Sequence, residues 1–160
     1  MKIETNRMAV WMQPEQIHLD VPLRDVRHAL EYIADVTGTS HGLGSGPIFR
    51  ALSRREQAGS TALGGGFAIP HARISGIDRP LTLLVRAKPG IDFGAPDHVP
   101  VTLLLAILVP AQGNPDDHLE LLALIAELFS KPDFRARMNS ESDAAAVARS
   151  IRQATDALAG

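Results

Sequence analysis

The sequence contains no cysteine, so disulfides, thiolate metal ligands and cysteine nucleophiles are excluded. Aromatic residues make up only 4% of the chain, which gives no indication of a large aromatic interface. Neither sign of charge dominates, because 16 Lys and Arg stand against 18 Asp and Glu for a formal charge of -2. Without a basic excess to neutralise a run of phosphates, the composition argues against nucleic acid as the main partner.

Long hydrophobic runs are also missing. The longest apolar run, Leu103–Pro110, is far too short to cross a bilayer. Residues 1–7 lead into mixed sequence rather than an apolar stretch, so they do not resemble a secretory signal. On these grounds we expect no membrane segment and a cytoplasmic location.

The overall composition is that of an ordinary globular protein. The chain has 160 residues, of which 45% are hydrophobic and 21% charged. This length suits one domain over residues 1–160, and we expect its core at about residues 15–158. The first segment, up to Leu19, has no sustained hydrophobic periodicity, and we expect it to be partly a strand or partly disordered. The expected disorder lies in residues 1–14.

Apolar residues at three- and four-residue steps predict helices in both halves of the chain. The first helix is predicted to start near Asp20 or Pro22 and to stop at Gly38. A flexible loop over residues 38–46 is predicted to follow it. The remaining helices are predicted at Pro47 to Gly59, from Asn114–Asp117 to about Phe129, after Pro132, and at about 142–158.

Between these helices the pattern predicts strands. The candidates are residues 67–70, 81–85, 91–93 and 101–109. The last of these is almost entirely apolar, which is typical of a strand covered on both faces. Helices on both sides of a central group of strands predict an α/β fold, a three-layer α/β/α arrangement with a mixed β-sheet.

One stretch, residues 59–73, combines features of an anion site. Glycines allow backbone N–H groups to surround an anion, and Ser60 and Thr61 add hydroxyl donors. Pro70 fixes the backbone beside His71, whose ring would keep one nitrogen available for attack. The spacing matches neither a Walker A loop nor a dinucleotide-binding loop, and from spacing alone a glycine-rich turn beside a surface histidine is the favoured interpretation.

A second candidate histidine, His118, falls in the first turn of the helix that is predicted to begin at Asn114–Asp117. Helix N-termini attract anions through their unpaired N–H groups. The alternative is an ordinary helix-start residue beside Asp116 and Asp117, and the sequence does not show how far His118 lies from His71. The other four histidines lack supporting context and are expected at the surface: His18, His28, His41 and His98. No pair of histidines has the spacing of a metal site, so we expect no metal and no cofactor.

Two arginines, Arg54 and Arg55, precede the glycine-rich stretch at the end of a predicted helix. Cations at a helix C-terminus are ordinary partners of the helix dipole. Alternatively, the planar fork of a guanidinium reaches a phosphoryl group. The residues alone leave both interpretations open.

The order of the motifs carries a family resemblance that covers nearly the whole chain. The chain resembles the type-2 (fructose/mannitol) IIA domains of the bacterial phosphoenolpyruvate-dependent sugar phosphotransferase system, and among them it is most similar to the stand-alone nitrogen-regulatory members. The residues that carry the resemblance are Arg55-Glu56, Gly59-Ser60-Thr61, Ala68-Ile69-Pro70-His71-Ala72-Arg73, Pro100-Val101, Leu108-Val109-Pro110 and His118-Leu119.

The resemblance implies a three-layer fold and a phosphohistidine site. It implies that His71 accepts a phosphoryl group on its tele (Nε2) nitrogen, that His118 lies beside it, and that Arg55 is the active-site arginine. It also implies phosphate binding by the loop Gly59-Ser60-Thr61. A phosphohistidine donor is high in energy, so this chemistry requires neither ATP nor a metal, only in-line positioning and charge stabilisation.

The implied partners are an HPr-type phosphocarrier protein as donor and regulatory target proteins, kinases or transporters among them, that sense the phosphorylation state. Two alternatives stay open: a IIA component that serves a separate sugar permease, and an anion-binding module that is never phosphorylated. Two departures from the family pattern bear on partner choice or loop mobility. Thr102 stands where the family often has an acidic residue, and residues 64–66 are all glycine.

Overall fold

The computed structural model describes residues 12–113 and 115–159, with the side chains of residues 115–118, 121, 158 and 159 outside the description. After a short 3-10 turn at Pro14–Gln16, one strand and two helices precede five consecutive strands, and three helices follow them. In chain order they are β1 (Ile17–Val21), α1 (Val26–His41), α2 (Ser45–Ala58), β2 (Ala62–Gly64), β3 (Phe67–Ala68), β4 (His71–Ile74), β5 (Leu81–Ile91), β6 (Val101–Pro110), α3 (Pro115–Phe129), α4 (Pro132–Ser140) and α5 (Ala144–Ala159).

The strands form one six-stranded mixed sheet, in the order β1-β5-β6-β3-β2, with β4 also paired to β6. Strand β6 runs antiparallel to β5 and parallel to both β3 and β4, while β1 is parallel to β5. The long apolar strand β6 is therefore the centre of the sheet. All of its residues except the half-buried Thr102 are buried, which confirms the expectation that it is covered on both faces.

Alternate residues of β6 divide the core into two layers. Leu104, Ala106 and Leu108 pack with α1 and α2, whereas Ile107 and Val109 pack with α3, α4 and α5. Because a strand turns successive side chains to opposite faces, one nearly continuous apolar run serves both helical layers. The three-layer α/β/α prediction is thus confirmed.

The first helix differs from its prediction at both ends. Residues 17–21 are strand β1, and α1 begins after Asp25, whose carboxylate accepts from the N–H of His28 at 2.8 Å. The predicted stop at Gly38 is wrong, because the helix ends only before Gly42, which adopts a left-handed φ of 66°. Gly38 instead allows a close chain approach, since a Cβ there would lie 2.9 Å from the Leu43 carbonyl oxygen.

Other boundaries shift by a few residues. Helix α2 starts at Ser45 rather than Pro47, and the loop before it shrinks to residues 42–44. The strand predicted at 67–70 ends at Ala68, and Ile91 closes β5 rather than opening a strand of its own. The N-terminal segment predicted to be partly disordered lies, for residues 1–11, outside the described residues. Among the described residues, no helix combines the length and apolar character that a membrane span requires.

Candidate functional site

His71 is the first residue of the edge strand β4, rather than a loop residue beyond a strand. Ala72 and Ile74 of the same strand are buried in the layer of α1 and α2. His71 is therefore turned to the other face of the sheet, where its register partner on β6, Ile107, packs with α3. His71 remains partly exposed.

The two ring nitrogens of His71 have different partners. Nδ1 lies 2.8 Å from the carbonyl oxygen of Ile69, and Nε2 lies 3.3 Å from Nε of Arg55. A carbonyl oxygen can only accept and a guanidinium can only donate, so Nδ1 carries the ring proton and Nε2 carries the lone pair. This arrangement makes Nε2 the nucleophilic atom of the site.

Arg55 lies in the last turn of α2 and reaches across to the edge strand. Besides His71 it contacts the Gly59 carbonyl oxygen, which accepts from Nη1 at 2.8 Å. Both acceptors are neutral, and in the part of the chain that the structure describes Arg55 forms no ion pair with a carboxylate. Among the described side chains, none therefore neutralises the positive charge of the guanidinium next to Nε2.

The loop that follows α2 holds its two hydroxyls in internal hydrogen bonds. Ser60 Oγ donates to the Phe93 carbonyl oxygen at 2.7 Å and accepts from the N–H of Ala62 at 3.1 Å. Thr61 is buried, and its Oγ1 donates to a carboxylate oxygen of Glu56 at 2.7 Å. Phosphate binding by Gly59, Ser60 and Thr61 stays a prediction, and for the two hydroxyls it requires an exchange of hydrogen-bond partner.

Glu56 is a residue of this site to which no role was assigned from the sequence. Its Oε2 accepts from the N–H of Thr61 at 2.8 Å while Oε1 accepts from the Thr61 hydroxyl. The available signal was local: an acid at the end of a helix, where the dipole disfavours negative charge, five residues before a threonine. Such an acid is expected to have specific donors.

His118 lies in the first turn of α3, as predicted. Its side chain falls outside the described residues, so its expected place beside His71 stays a prediction. Of the other histidines, His41 and His98 are exposed, while His18 is partly buried and pairs through Nδ1 with the Tyr32 hydroxyl. Within residues whose side chains are described, no group of three or more potential metal-binding side chains is present.

The glycines at 64–66 form the tight turn between β2 and β3, each with positive φ. A Cβ on Gly65 would lie 2.6 Å from Arg135 Cζ, so glycine is required for the guanidinium to cover this turn. The N–H groups of Gly65 and Val99 donate to the Asp97 carboxylate and hold its pKa below the usual range. The Thr102 hydroxyl is bonded to Asn139 Oδ1 at 2.9 Å. Both departures from the family pattern thus have local structural partners.

Residues 11–154 match the family model described as "Phosphoenolpyruvate-dependent sugar phosphotransferase system, EIIA 2". A nitrogen regulatory protein of Pseudomonas aeruginosa is 35% identical over 142 residues, which cover 88% of this chain and 92% of that protein. A fructose-specific EIIA component of Haloferax volcanii is 33% identical over 125 residues, 78% of this chain and 80% of that protein.

Among solved structures, the nitrogen regulatory protein IIA-Ntr of Neisseria meningitidis superposes with a TM-score of 0.86 at 30% identity, covering 91% of this chain and 99% of that one. The chain therefore belongs to the EIIA type-2 family of the phosphoenolpyruvate-dependent sugar phosphotransferase system.

Proposed function

We propose that this chain accepts a phosphoryl group on Nε2 of His71 from an HPr-type phosphocarrier and that partner proteins respond to its phosphorylation state. One observation carries the proposal. The Ile69 carbonyl holds the ring proton on Nδ1, which leaves the Nε2 lone pair at the surface beside the charged Arg55. The resemblance to nitrogen regulatory proteins supports the regulatory half of the proposal.

The transfer is a displacement at phosphorus between two histidines. The Nε2 lone pair of His71 forms the new N–P bond while the donor's N–P bond breaks and its electron pair returns to the donor ring. Nδ1 keeps its proton, and the Ile69 carbonyl oxygen 2.8 Å away stabilises the positive charge that the attacking ring gains. No other proton has to move, so positioning and charge stabilisation supply the catalysis.

Arg55 has to change partner during this step. Its Nε–H points at the same lone pair that attacks phosphorus, and the contact of 3.3 Å is long for a hydrogen bond. As the phosphoryl group arrives, the guanidinium exchanges Nε2 for phosphoryl oxygens, to which it donates with its planar fork. Arg55 thus covers the nucleophile before transfer and stabilises the phosphoryl group after it.

The acceptor assignment is tested by intact mass after incubation with phosphoenolpyruvate and the two upstream carriers. The wild type should gain one phosphoryl group and His71→Ala none, with the folded state kept because a partly exposed side chain contributes little to the core. His41→Ala, which changes an exposed histidine of α1, is the matched control and should be phosphorylated like the wild type. A phosphoryl adduct on His71→Ala would contradict the assignment of His71 as the acceptor. An unmodified wild type would favour the alternative of an anion-binding module that is never phosphorylated.

His118 is proposed as a neighbour that stabilises the phosphoryl group. His118→Ala should still be phosphorylated, but about a hundredfold more slowly and with a product that hydrolyses faster, since one preorganised donor is lost. The measurement is the rate of adduct formation and decay by intact mass. A wild-type rate in this variant would return His118 to the role of an ordinary helix-start residue.

Phosphorylation would switch partner binding through charge. It adds about 1.5 to 2 negative charges at His71, to a chain whose formal charge is already -2. A partner that docks over His71 must desolvate that charge, so regulatory targets should prefer the unphosphorylated protein. Pull-downs with wild type, His71→Ala and the partial mimic His71→Glu should recover fewer targets with the Glu variant. Equal recovery of every partner by all three would contradict the regulatory role.

A second candidate function is that of a IIA component for a separate sugar permease, favoured by the 33% identity to a fructose-specific EIIA component. This function shares the His71 chemistry and differs only in the acceptor. Transfer of radiolabelled phosphoryl from the phosphorylated chain to a purified fructose-type IIB domain separates the two. Rapid transfer would establish the transport role, and retention on His71 would favour regulation.

A further inference from the structure

Glu56 is placed next to Arg55 in the chain but does not bind it. Both of its carboxylate oxygens accept from Thr61, at 2.8 Å from the backbone N–H and 2.7 Å from the hydroxyl. Since both oxygens are engaged there, Glu56 does not compete with His71 for the neighbouring guanidinium. The carboxylate therefore acts on the loop rather than on the arginine.

The hydrogen bonds continue from Thr61 to the imidazole. The Thr61 carbonyl oxygen accepts from the N–H of Ile69 at 3.1 Å, and the Ile69 carbonyl oxygen accepts from Nδ1–H of His71 at 2.8 Å. Both polar groups of Ile69 are thus engaged, one by Thr61 and one by the His71 ring. The orientation of the carbonyl that selects the ring tautomer depends on where Thr61 is held.

The same end of α2 also controls the other ring nitrogen. Arg55 precedes Glu56, donates to Nε2 of His71, and is itself held by the Gly59 carbonyl oxygen. Two adjacent residues of one helix turn therefore act on opposite sides of the imidazole, Arg55 directly and Glu56 through Thr61 and Ile69. A change at Glu56 should be transmitted to both nitrogens.

The position of Glu56 is otherwise unfavourable. It lies in the last turn of α2, where the negative end of the helix dipole disfavours a carboxylate. Its two hydrogen bonds to a residue that is 4% exposed offset this cost. An apolar residue would avoid the cost but would leave the N–H of Thr61 without this acceptor.

We infer that Glu56 is a positioning residue of the phosphorylation site, which fixes the Nδ1–H tautomer of His71 through Thr61 and Ile69. The inference rests on the proposed function for its consequence in phosphoryl transfer. The tautomer itself can be read without any donor, because the ¹⁵N shifts of the two ring nitrogens report which one is protonated.

The first experiment records the ring ¹⁵N signals of wild type, Glu56→Ala, Glu56→Gln and the control Gln57→Ala, which changes an exposed neighbour. Wild type and Gln57→Ala should show a protonated Nδ1. Glu56→Ala should move both ring signals towards a mixture of tautomers. Glu56→Gln retains one acceptor oxygen for the Thr61 N–H and should restore the Nδ1–H signal.

The second experiment measures phosphorylation by a small-molecule donor, phosphoramidate, which needs no docking surface. Glu56→Ala should react at least about tenfold more slowly than Gln57→Ala, and Glu56→Gln should recover most of the rate. Unchanged ring signals in a folded Glu56→Ala protein would overturn the inference. Loss of phosphorylation in every variant, with the ring signals as expected, would instead count against the proposed function alone.

If Glu56→Ala does not fold, Thr61→Val takes its place, since it removes the hydroxyl bond to Glu56 and leaves the backbone bond. Its ring signals should shift in the same direction by a smaller amount. A wild-type tautomer in folded Thr61→Val would overturn the inference in that case.

Discussion

Two arginines of this molecule show how the same side chain serves the fold in one place and a candidate reactive site in another. Arg86, on β5, has a side chain that is only 9% exposed. Its Nε and Nη2 donate to the two carboxylate oxygens of Asp20 at 2.8 and 3.2 Å. Its Nη1 donates to the carbonyl oxygens of Met138 and Glu141 at 3.0 and 2.8 Å. All three nitrogens, and the charge, are matched.

Arg55 is the opposite case. It donates to one ring nitrogen and one carbonyl oxygen, and neither neutralises its charge. The comparison shows that the hydrogen-bond partners of a guanidinium distinguish an arginine that stabilises the fold from one that is available to bind an anion. An arginine with a bidentate carboxylate and further carbonyls stabilises the fold, whereas one held by neutral acceptors keeps its charge for an incoming anion.

The largest expected effect is on the reaction at Arg55. Arg55→Met should slow phosphorylation of His71 by about 100- to 1,000-fold, because a preorganised cation at the phosphoryl oxygens is lost. The free energy of unfolding should change by less than about 0.5 kcal/mol, since the side chain is partly exposed and has only two bonds. Phosphorylation rates and urea unfolding of the same preparation measure both. A large loss of stability in Arg55→Met would show that Arg55, like Arg86, stabilises the fold, and would contradict the difference between them.

Arg86→Met should give the reverse pattern with a smaller energetic effect. We expect the free energy of unfolding to fall by about 2–3 kcal/mol, because two carbonyl groups lose a charged donor and the Asp20 carboxylate loses its partner. The rate of His71 phosphorylation, corrected for the folded fraction, should equal that of the wild type. A slow rate in fully folded Arg86→Met would show that the two arginines are coupled.

The smallest effect concerns the pH dependence of stability at Asp20. The hydrogen bond from Arg86 holds the pKa of the Asp20 carboxyl below its usual range. A carboxyl whose pKa is lowered by folding stabilises the protein above its unfolded-state pKa, and that stabilisation disappears as the pH falls through the folded-state pKa. Wild type should therefore exceed Asp20→Asn in free energy of unfolding at neutral pH, and the gap should narrow below about pH 4.

Urea unfolding at several pH values measures this gap, with Asp35→Asn, an exposed carboxyl of α1, as the control for general charge effects. A gap between wild type and Asp20→Asn that stays constant from neutral to acid pH would contradict the role of the ion pair. The comparison with Arg55 would then rest on the carbonyl contacts of Arg86 alone.

The fold was largely predictable because its main signals are local. The apolar run of β6 and the stripes of the helices are read directly from periodicity. Strand β4 was missed because it has four residues, of which only Ala72 and Ile74 are buried. The ion pair between Arg86 and Asp20 joins residues 66 positions apart, and sequence spacing carries no signal for such a contact.

The site was predictable in part, through its family motifs rather than its spacing. The contact between Arg55 and His71 spans 16 positions and was expected only from the resemblance. The tautomer of His71 could not be derived from sequence, because it depends on where the Ile69 carbonyl oxygen lies. The bonds between Glu56 and Thr61 join residues only five positions apart. An acid at a helix end, followed closely by a threonine, is a local signal that could have predicted them.

We propose that the site prepares Nε2 of His71, and no other atom, to take the phosphoryl group. The most direct test is ¹⁵N and ³¹P NMR of the phosphorylated protein with labelled histidine. The claim predicts that phosphorus couples to Nε2 of His71 while Nδ1 stays protonated on the Ile69 carbonyl oxygen. Phosphorus coupled to Nδ1, or to another histidine, would contradict it.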